Sequence, residues 1–378
     1  MHILIAPNAF KHALDAKAAA LAIQSGLLAS KLACSCECFP IGDGGNGTCG
    51  LIVDRCRGEI VNVSVKDPLG RPITAPFGLI AKGRTAVIEM ADASGLHLLE
   101  PEELDPGRAS SYGTGELIKA ALDRGVRKII IGMGGSATVD GGSGILAALG
   151  ARMLDKHGRE LTDLPTGLDK LHAIDCASLD KRLKDCEITI LCDVANPLLG
   201  ESGAAKVFGP QKGASPQLVE RLERMLQRYA DVIRATTGQE VSLLPSGGVA
   251  GGASAGLAGL LGARLVNGID YFLELTRFDD SLSGSRLVIT GEGSIDSQTL
   301  HGKGPYGVAK RAKQAGIPVI GLAGQIPVDD NADLARYFDV LMAIGNGPSR
   351  VEEALPLTAR NLTRTACQLG NLLSVLPI

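Results

Sequence analysis

Four stretches of this sequence join an apolar run to a loop of glycines, hydroxyls and charged side chains. They are IAPNAFK (residues 5–11), IIIGMGGSATVDGG (129–142), ILCDVANPLLG (190–200) and LVITGEGSIDSQTLHGK (287–303). A buried strand that ends in a glycine-rich polar loop is where open α/β sheets place their ligands. Asp43, Asp140, Asp193, Glu292 and Asp296 fall at the expected strand ends, and Lys11, Lys206, Lys212 and Lys303 are the candidate cations nearby. Transfer of a phosphoryl group needs such parts: an anion cradle, a cation on the moving group, Mg²⁺ ligands and a base for the acceptor. A single loop aspartate is more often an Asx turn or a helix cap than a catalyst. Several of them, each closing an apolar strand, shift that balance. His301 suits a base at neutral pH, although a loop hydrogen bond is its commoner use.

Gly132–Ala137 fits GxGxxA after a strand, and Asp155 stands near the spacing at which a dinucleotide fold wants an acid. The match is weak, because Val139-Asp140-Gly141-Gly142 prolongs the loop. Successive amides in such a loop form a nest for phosphate oxygens, and a tight crossover turn is the plainer alternative. There is no GxxxxGK[ST], no HRD or DFG, and no GxSxG elbow, so P-loop, protein-kinase and α/β-hydrolase chemistry are excluded. Cys34, Cys36 and Cys38 alternate at period two; they lack zinc spacing and read as ordinary thiols.

The elements that must position these loops follow from periodicity. Strand, loop, helix, strand and short helix run from Ile3 to Asp54, the start of a doubly wound parallel sheet. The alternating run Ile60–Lys66 and the pair Ile73–Ala81 and Thr85–Met90 read as a more exposed, hairpin-forming region. Gln217–Ile233 has the spacing of an amphipathic helix. From Arg286 the βα style returns, with strands at Leu287–Thr290, Pro318–Leu322 and Val340–Ile344 and a last helix over Val351–Leu373. The expected fold is therefore α/β. A discontinuous Rossmann-like or flavodoxin-like parallel-sheet domain spans 1–65 and 285–378, with a large α/β domain over 66–284 inserted into it. The 378 residues suffice for two cores. Apolar residues at 45% and charged residues at 21% are globular composition, and 49 glycines without a collagen period belong in turns and at ligand approaches. A net charge of −3 and 3% aromatics give no footprint for nucleic acid. No apolar run is long enough to span a membrane, and nine cysteines, with no signal-like start, suit a reducing cytoplasm. The sequence leaves a homo-oligomer open.

Taken together and in order, the motifs resemble the type-1 glycerate kinase family. They are APNAFKHALDA (6–16), PIGDGGNGT (40–48), DPLGRP (67–72), IEMADASGL (88–96), GTGELIKAALDRG (113–125), GMGGSATVDGGSGILAALG (132–150), CDVANPLLG (192–200), FGPQKGA (208–214), GGVAGGASAGL (247–257) and TGEGSIDSQTLHGKGPYGVA (290–309). Asn8-Ala9 departs from the usual Asp-Ser, and Gly42 and Asn46 stand where alanine and glutamate are usual. The resemblance implies ATP- and Mg²⁺-dependent phosphorylation of D-glycerate, to 2-phosphoglycerate in the bacterial branch, within glyoxylate and sugar-acid breakdown in the cytoplasm. It also implies two α/β domains with the active site in the cleft between them. Under that reading Lys11, Asp43 and Arg71 are the substrate-binding candidates. Asp193 and Asp296 are base and Mg²⁺ ligand in an order left open, and Lys303 neutralises the transferred group. Gly134, Gly135 and Ser136, with Gly291 and Gly293, are the cofactor-binding candidates. The rivals are a nucleotide-linked oxidoreductase of a small hydroxy acid and a non-catalytic binding module of the same fold.

Overall fold

The computed structural model describes residues 1–329 and 331–376. The chain divides into two compact units, one of Met1–Asp43 with Gly268–Ile378 and one of Gly44–Asn267.

The unit built from the two chain ends holds five strands, all parallel. In space they run Ser35–Cys38, His2–Ile5, Leu287–Ser294, Val319–Gln325, Val340–Ala343. Numbered along this unit's own chain the order is 2-1-3-4-5, the flavodoxin-like winding, which reverses between the first strand and Leu287–Ser294. Side chains alternate across the sheet. Ile3, Ile5 and Ile289 lie in one cluster with Ala19, Ile23 and Leu27 of helix Ala16–Leu28 and Leu362, Ala366 and Leu369 of helix Thr358–Leu373. Asp15 caps the first of these helices by accepting the Ala18 amide at 2.8 Å. The helix expected over Val351–Leu373 is broken at Pro356: Val351–Ala354, a tight turn over Leu355–Leu357, then Thr358–Leu373.

Gly291-Glu292-Gly293 reads in sequence as a turn, yet the strand runs through it to Ser294, in register as far as Ser294 opposite Gln325. A side chain on Gly291 would meet the Leu322 carbonyl of the neighbouring strand, so this glycine permits close approach within the ladder and breaks nothing.

The contiguous unit is built on a six-stranded sheet in the order Arg264–Asn267, Glu187–Cys192, Lys128–Gly132, Thr85–Glu89, Pro72–Ile80, Glu59–Lys66. The first four are parallel, and the last two add as antiparallel hairpin strands. Helix Pro216–Thr237 presents Leu222, Met225, Leu226, Tyr229 and Ile233 to the core at helical spacing, as its periodicity predicts. The expected segmentation crossed between units at 65/66 and 284/285. Glu59–Lys66 pairs with Pro72–Ile80 residue for residue, which places it in the middle unit, and Gly268–Leu275 and Phe278–Leu282 go with the terminal one. Phe278 stacks edge-on against Phe39 at 5.0 Å, an aromatic contact between distant sequence positions that periodicity does not register.

Candidate functional site

In the terminal unit the winding reverses at the carboxyl ends of His2–Ile5 and Leu287–Ser294, where an open α/β sheet leaves its ligand crevice. The loop after the first strand is tied there by the Asn8 amide, which donates to the Gly291 carbonyl at 2.8 Å. The Asn8 side chain donates to Asp43 Oδ2 at 2.8 Å, and the Gly304 amide, at the start of helix Gly304–Gln314, donates to the same oxygen at 3.3 Å. Asn8 is thus a neutral donor holding a buried aspartate, a role an aspartate at position 8 could not fill while ionised.

Glu292 lies among these groups. Its side chain is 8% exposed, and Thr299 Oγ1 donates to its Oε1 at 3.1 Å. Burial pushes its carboxyl up to about 7; Asp43 adds to the rise, while Lys303, Thr299 and Lys11 oppose it. Asp296, half-buried, is occupied locally: Oδ1 accepts the Gln298 amide at 2.8 Å, and its own amide donates to Thr299 Oγ1 at 3.1 Å, a capping box on the turn Ser297–His301. Lys303 occupies the N-cap position of helix Gly304–Gln314 without a side-chain cap. Lys11 and His301 are exposed. Six of the expected residues therefore share this region: Lys11, Asp43, Glu292, Asp296, Lys303 and Gly293. Gly291 is committed to the sheet ladder.

In the contiguous unit three neighbouring parallel strands end in Glu89, in Gly132 with its loop, and in Cys192 followed by Asp193. The loop after Gly132 has the glycine geometry its sequence suggested, with one change. The Gly134 amide is spent on the Gly44 carbonyl at 3.0 Å. Gly135 takes φ of +70°, and the amides of Gly135 and Ser136 donate to no described residue. Two consecutive unpaired amides about a left-handed glycine make a small anion nest. Lys212, 3% exposed, fastens this loop from behind, its Nζ donating to Ser136 Oγ at 2.9 Å and to the Thr138 carbonyl at 2.7 Å. Burial lowers its ammonium to about 7, against the opposing pull of Asp140. Asp140 is fully buried and accepts from Ser111 N, Ser111 Oγ, Gly142 N and Gly144 N at 2.6–3.3 Å, so it organises the loop.

Chemistry-based reading of the sequence passed over Glu89 and Asp92. Glu89 closes the buried strand Thr85–Glu89 and accepts the Gly47 amide at 2.6 Å and the Cys49 amide at 3.3 Å, at the start of helix Thr48–Arg55. Burial raises it to about 7, with Asp92 adding to the rise against those amides, and burial raises Asp92 to about 6. The signal was available: Glu89 is an acid closing an apolar strand, like those selected elsewhere.

Other expected residues are engaged with neighbouring side chains and amides. Arg71 donates to Asp67 through Nε and to Glu103 through both terminal nitrogens, so its fork is filled. Lys206 pairs with Glu201 at 2.6 Å. Asp155 closes its own turn on the His157 and Arg159 amides and pairs with Arg159. The next helix after the Gly132–Ala137 segment opens only at Ser143, six residues beyond Ala137, so the dinucleotide geometry is not formed. The nine cysteines are free thiols. No described helix is long and apolar enough to cross a membrane.

Comparison with known proteins covers nearly the whole chain. The model of the Glycerate kinase family matches residues 3–374. A glycerate kinase of Bacillus subtilis (strain 168) is 45% identical over 366 residues, covering 97% of this chain and 96% of that protein. A glycerate 2-kinase of Escherichia coli (strain K12) is 40% identical over 375 residues, covering 99% and 98%. Among solved structures, a candidate glycerate kinase 2 from Salmonella typhimurium LT2 superposes with a TM-score of 0.83 at 44% identity, covering 99% of this chain and 98% of that one.

Proposed function

Because the chain belongs to the glycerate kinase family, and is therefore a phosphotransferase, we propose that it transfers the γ-phosphoryl group of ATP to a hydroxyl of D-glycerate, giving 2-phosphoglycerate. The observation that carries the reading is the Gly135–Ser136 nest, two unpaired amides at the carboxyl end of a parallel strand, braced by the buried Lys212. Such a nest suits phosphate oxygens of ATP. The name of the Escherichia coli relative, a glycerate 2-kinase, supports the 2-position.

Mg²⁺ fits the donors present. Among the described residues no cluster of three or more His, Cys, Asp or Glu is arranged to hold a metal. Mg²⁺ in kinases needs no such cage: one or two carboxylates and the nucleotide phosphates hold it, with water completing the shell. Asp193, half-buried just past a strand end, supplies hard oxygens in the contiguous unit, and Asp296 supplies them in the terminal unit. Bound at either carboxylate, the ion would neutralise phosphate charge. Lys11 and Lys303 are the cations for the acid's carboxylate and for the transferred group, with Asp43 and Asn8 tying together the two loops that carry them. Arg71 is left out, its fork being filled by Asp67 and Glu103.

The test is ADP release from ATP and Mg²⁺ on addition of D-glycerate, followed by phosphorus NMR of the product. Glycerate-dependent ADP release and a 2-phosphoglycerate signal are expected. Folded protein that releases no ADP with D-glycerate sinks the substrate reading, and a 3-phosphoglycerate signal sinks the positional one.

A further inference from the structure

We propose that Glu292 is the proton acceptor of the reaction: Thr299 holds one of its carboxylate oxygens and leaves the other for the acceptor hydroxyl. This inference rests on the phosphotransfer reading above. The hydroxyl oxygen forms a bond to the γ-phosphorus, the bond from that phosphorus to the bridging oxygen breaks with its electron pair leaving on ADP, and the hydroxyl proton passes to Glu292 Oε2 and then to water.

Three observations place the role on this residue. First, position: Glu292 stands near the carboxyl end of the central strand, beside the point where the winding reverses. Second, its two oxygens are not equivalent. Oε1 accepts from Thr299 Oγ1 at 3.1 Å, and Thr299 is its only hydrogen-bond partner among the described residues. Oε2 is not among the buried side-chain atoms that lack a partner. In a side chain only 8% exposed, that oxygen is therefore both unpaired and open to approach. Third, the charges around it suit an acidic substrate. The charges of Lys303, at the start of helix Gly304–Gln314, and of Lys11, in the loop after the first strand, act on its carboxyl against that of Asp43. Two cations in the surroundings of a carboxylate with one unpaired oxygen provide for a substrate that carries both a carboxylate and a hydroxyl.

Asp296, the other carboxylate of this region, serves the arrangement at one remove. Its capping box fixes Thr299, and Thr299 fixes Glu292. The carboxyl of Glu292, held near neutrality by burial, has the affinity that general-base transfer at neutral pH favours.

The alternative is that Glu292 only fastens the Ser297–His301 turn through Thr299. Glu292→Gln separates the two, because the amide oxygen still accepts from Thr299 while the base is lost. In steady-state assays the variant is expected to lose roughly 100- to 10,000-fold in kcat, with KM for ATP and D-glycerate within about threefold of wild type. The acidic limb of the wild-type kcat/KM profile, which reports the free enzyme and is centred near pH 7, is expected to vanish. Thr299→Val, which removes a hydrogen bond to the ionised form, should move that limb to higher pH. Difference infrared titration of wild type against Glu292→Gln reads the same group without turnover, and a carboxyl band titrating near pH 7 is expected. The proposal is overturned if Glu292→Gln keeps more than half of the wild-type kcat, keeps the acidic limb, or removes no carboxyl that titrates above pH 6. Active wild type with an equally active variant fells this role alone. Wild type that releases no ADP with D-glycerate fells the phosphotransfer reading and this role with it.

Discussion

Lys212→Met should make the contiguous unit's stability lose a specific dependence on pH. Lys212 is 3% exposed, and burial takes its ammonium from an ordinary 10.5 down to about 7. At about 1.4 kcal/mol per pH unit, keeping the folded state charged at pH 7 costs about 5 kcal/mol relative to water. The folded lysine releases its proton near 7 and the unfolded one near 10.5, so between those values the unfolded chain binds more protons. Stability from this group therefore rises with pH across that window and is lost as pH falls through 7. Methionine fills a similar volume and cannot titrate. It also strands Ser136 Oγ and the Thr138 carbonyl, at about 1–3 kcal/mol each. Urea unfolding of wild type and variant should give a stability difference that grows in favour of wild type by about 2 kcal/mol between pH 7 and pH 9. Taking the difference cancels the other titrating side chains. A difference that stays flat across that interval would refute the claim that Lys212 is held without its charge above pH 7.

Three further outcomes are expected. Tyr229→Phe removes a buried hydroxyl that has no partner among the described residues, so unfolding free energy should stay level or rise by about 1 kcal/mol; a loss larger than that in urea titration would reveal a hydrogen bond to that hydroxyl. Gly135→Ala forces an L side chain to φ +70° and into Asn46, and should raise KM for ATP by roughly tenfold or more while KM for D-glycerate holds. Asp193→Asn and Asp296→Asn should each cut turnover by orders of magnitude in folded protein, as judged by circular dichroism beside the ADP assay; near wild-type turnover in both would remove them from the reaction.

Where the sequence was legible, one local period decided the matter. Lys128–Gly132 reads as a strand because five consecutive positions run into a glycine loop, and Pro216–Thr237 reads as a helix because its apolar residues recur at helical spacing. Asp15 announces the helix it caps. What stayed hidden depends on partners distant in sequence. Gly291 looks like a turn residue until Leu322 is beside it, and Arg71 looks like a free cation until Asp67 and Glu103 fill its fork. Gly134 reads as part of one phosphate cradle with Gly135 and Ser136, because nothing local says that the Gly134 amide meets the Gly44 carbonyl. Glu292 and Glu89 were visible as acids at strand ends, but their burial, which sets their proton affinity, comes from packing that one sequence does not display.

The first strand has one further consequence, and it concerns synthesis. Ile3 pairs with Leu287, and the Thr290 hydroxyl donates to the carbonyl of Ala6 across a separation of 284 residues. Until Leu287–Ser294 leaves the ribosome, His2–Ile5 has only Ser35–Cys38 as a neighbour and is an open edge. At about 5–20 residues per second that wait is on the order of fifteen seconds to a minute. The whole of Gly44–Asn267 emerges in that interval, with its own sheet and core. The middle of the chain can thus reach its native pairing during translation, while its earliest-made strand must remain unpaired on one side without being captured by another chain.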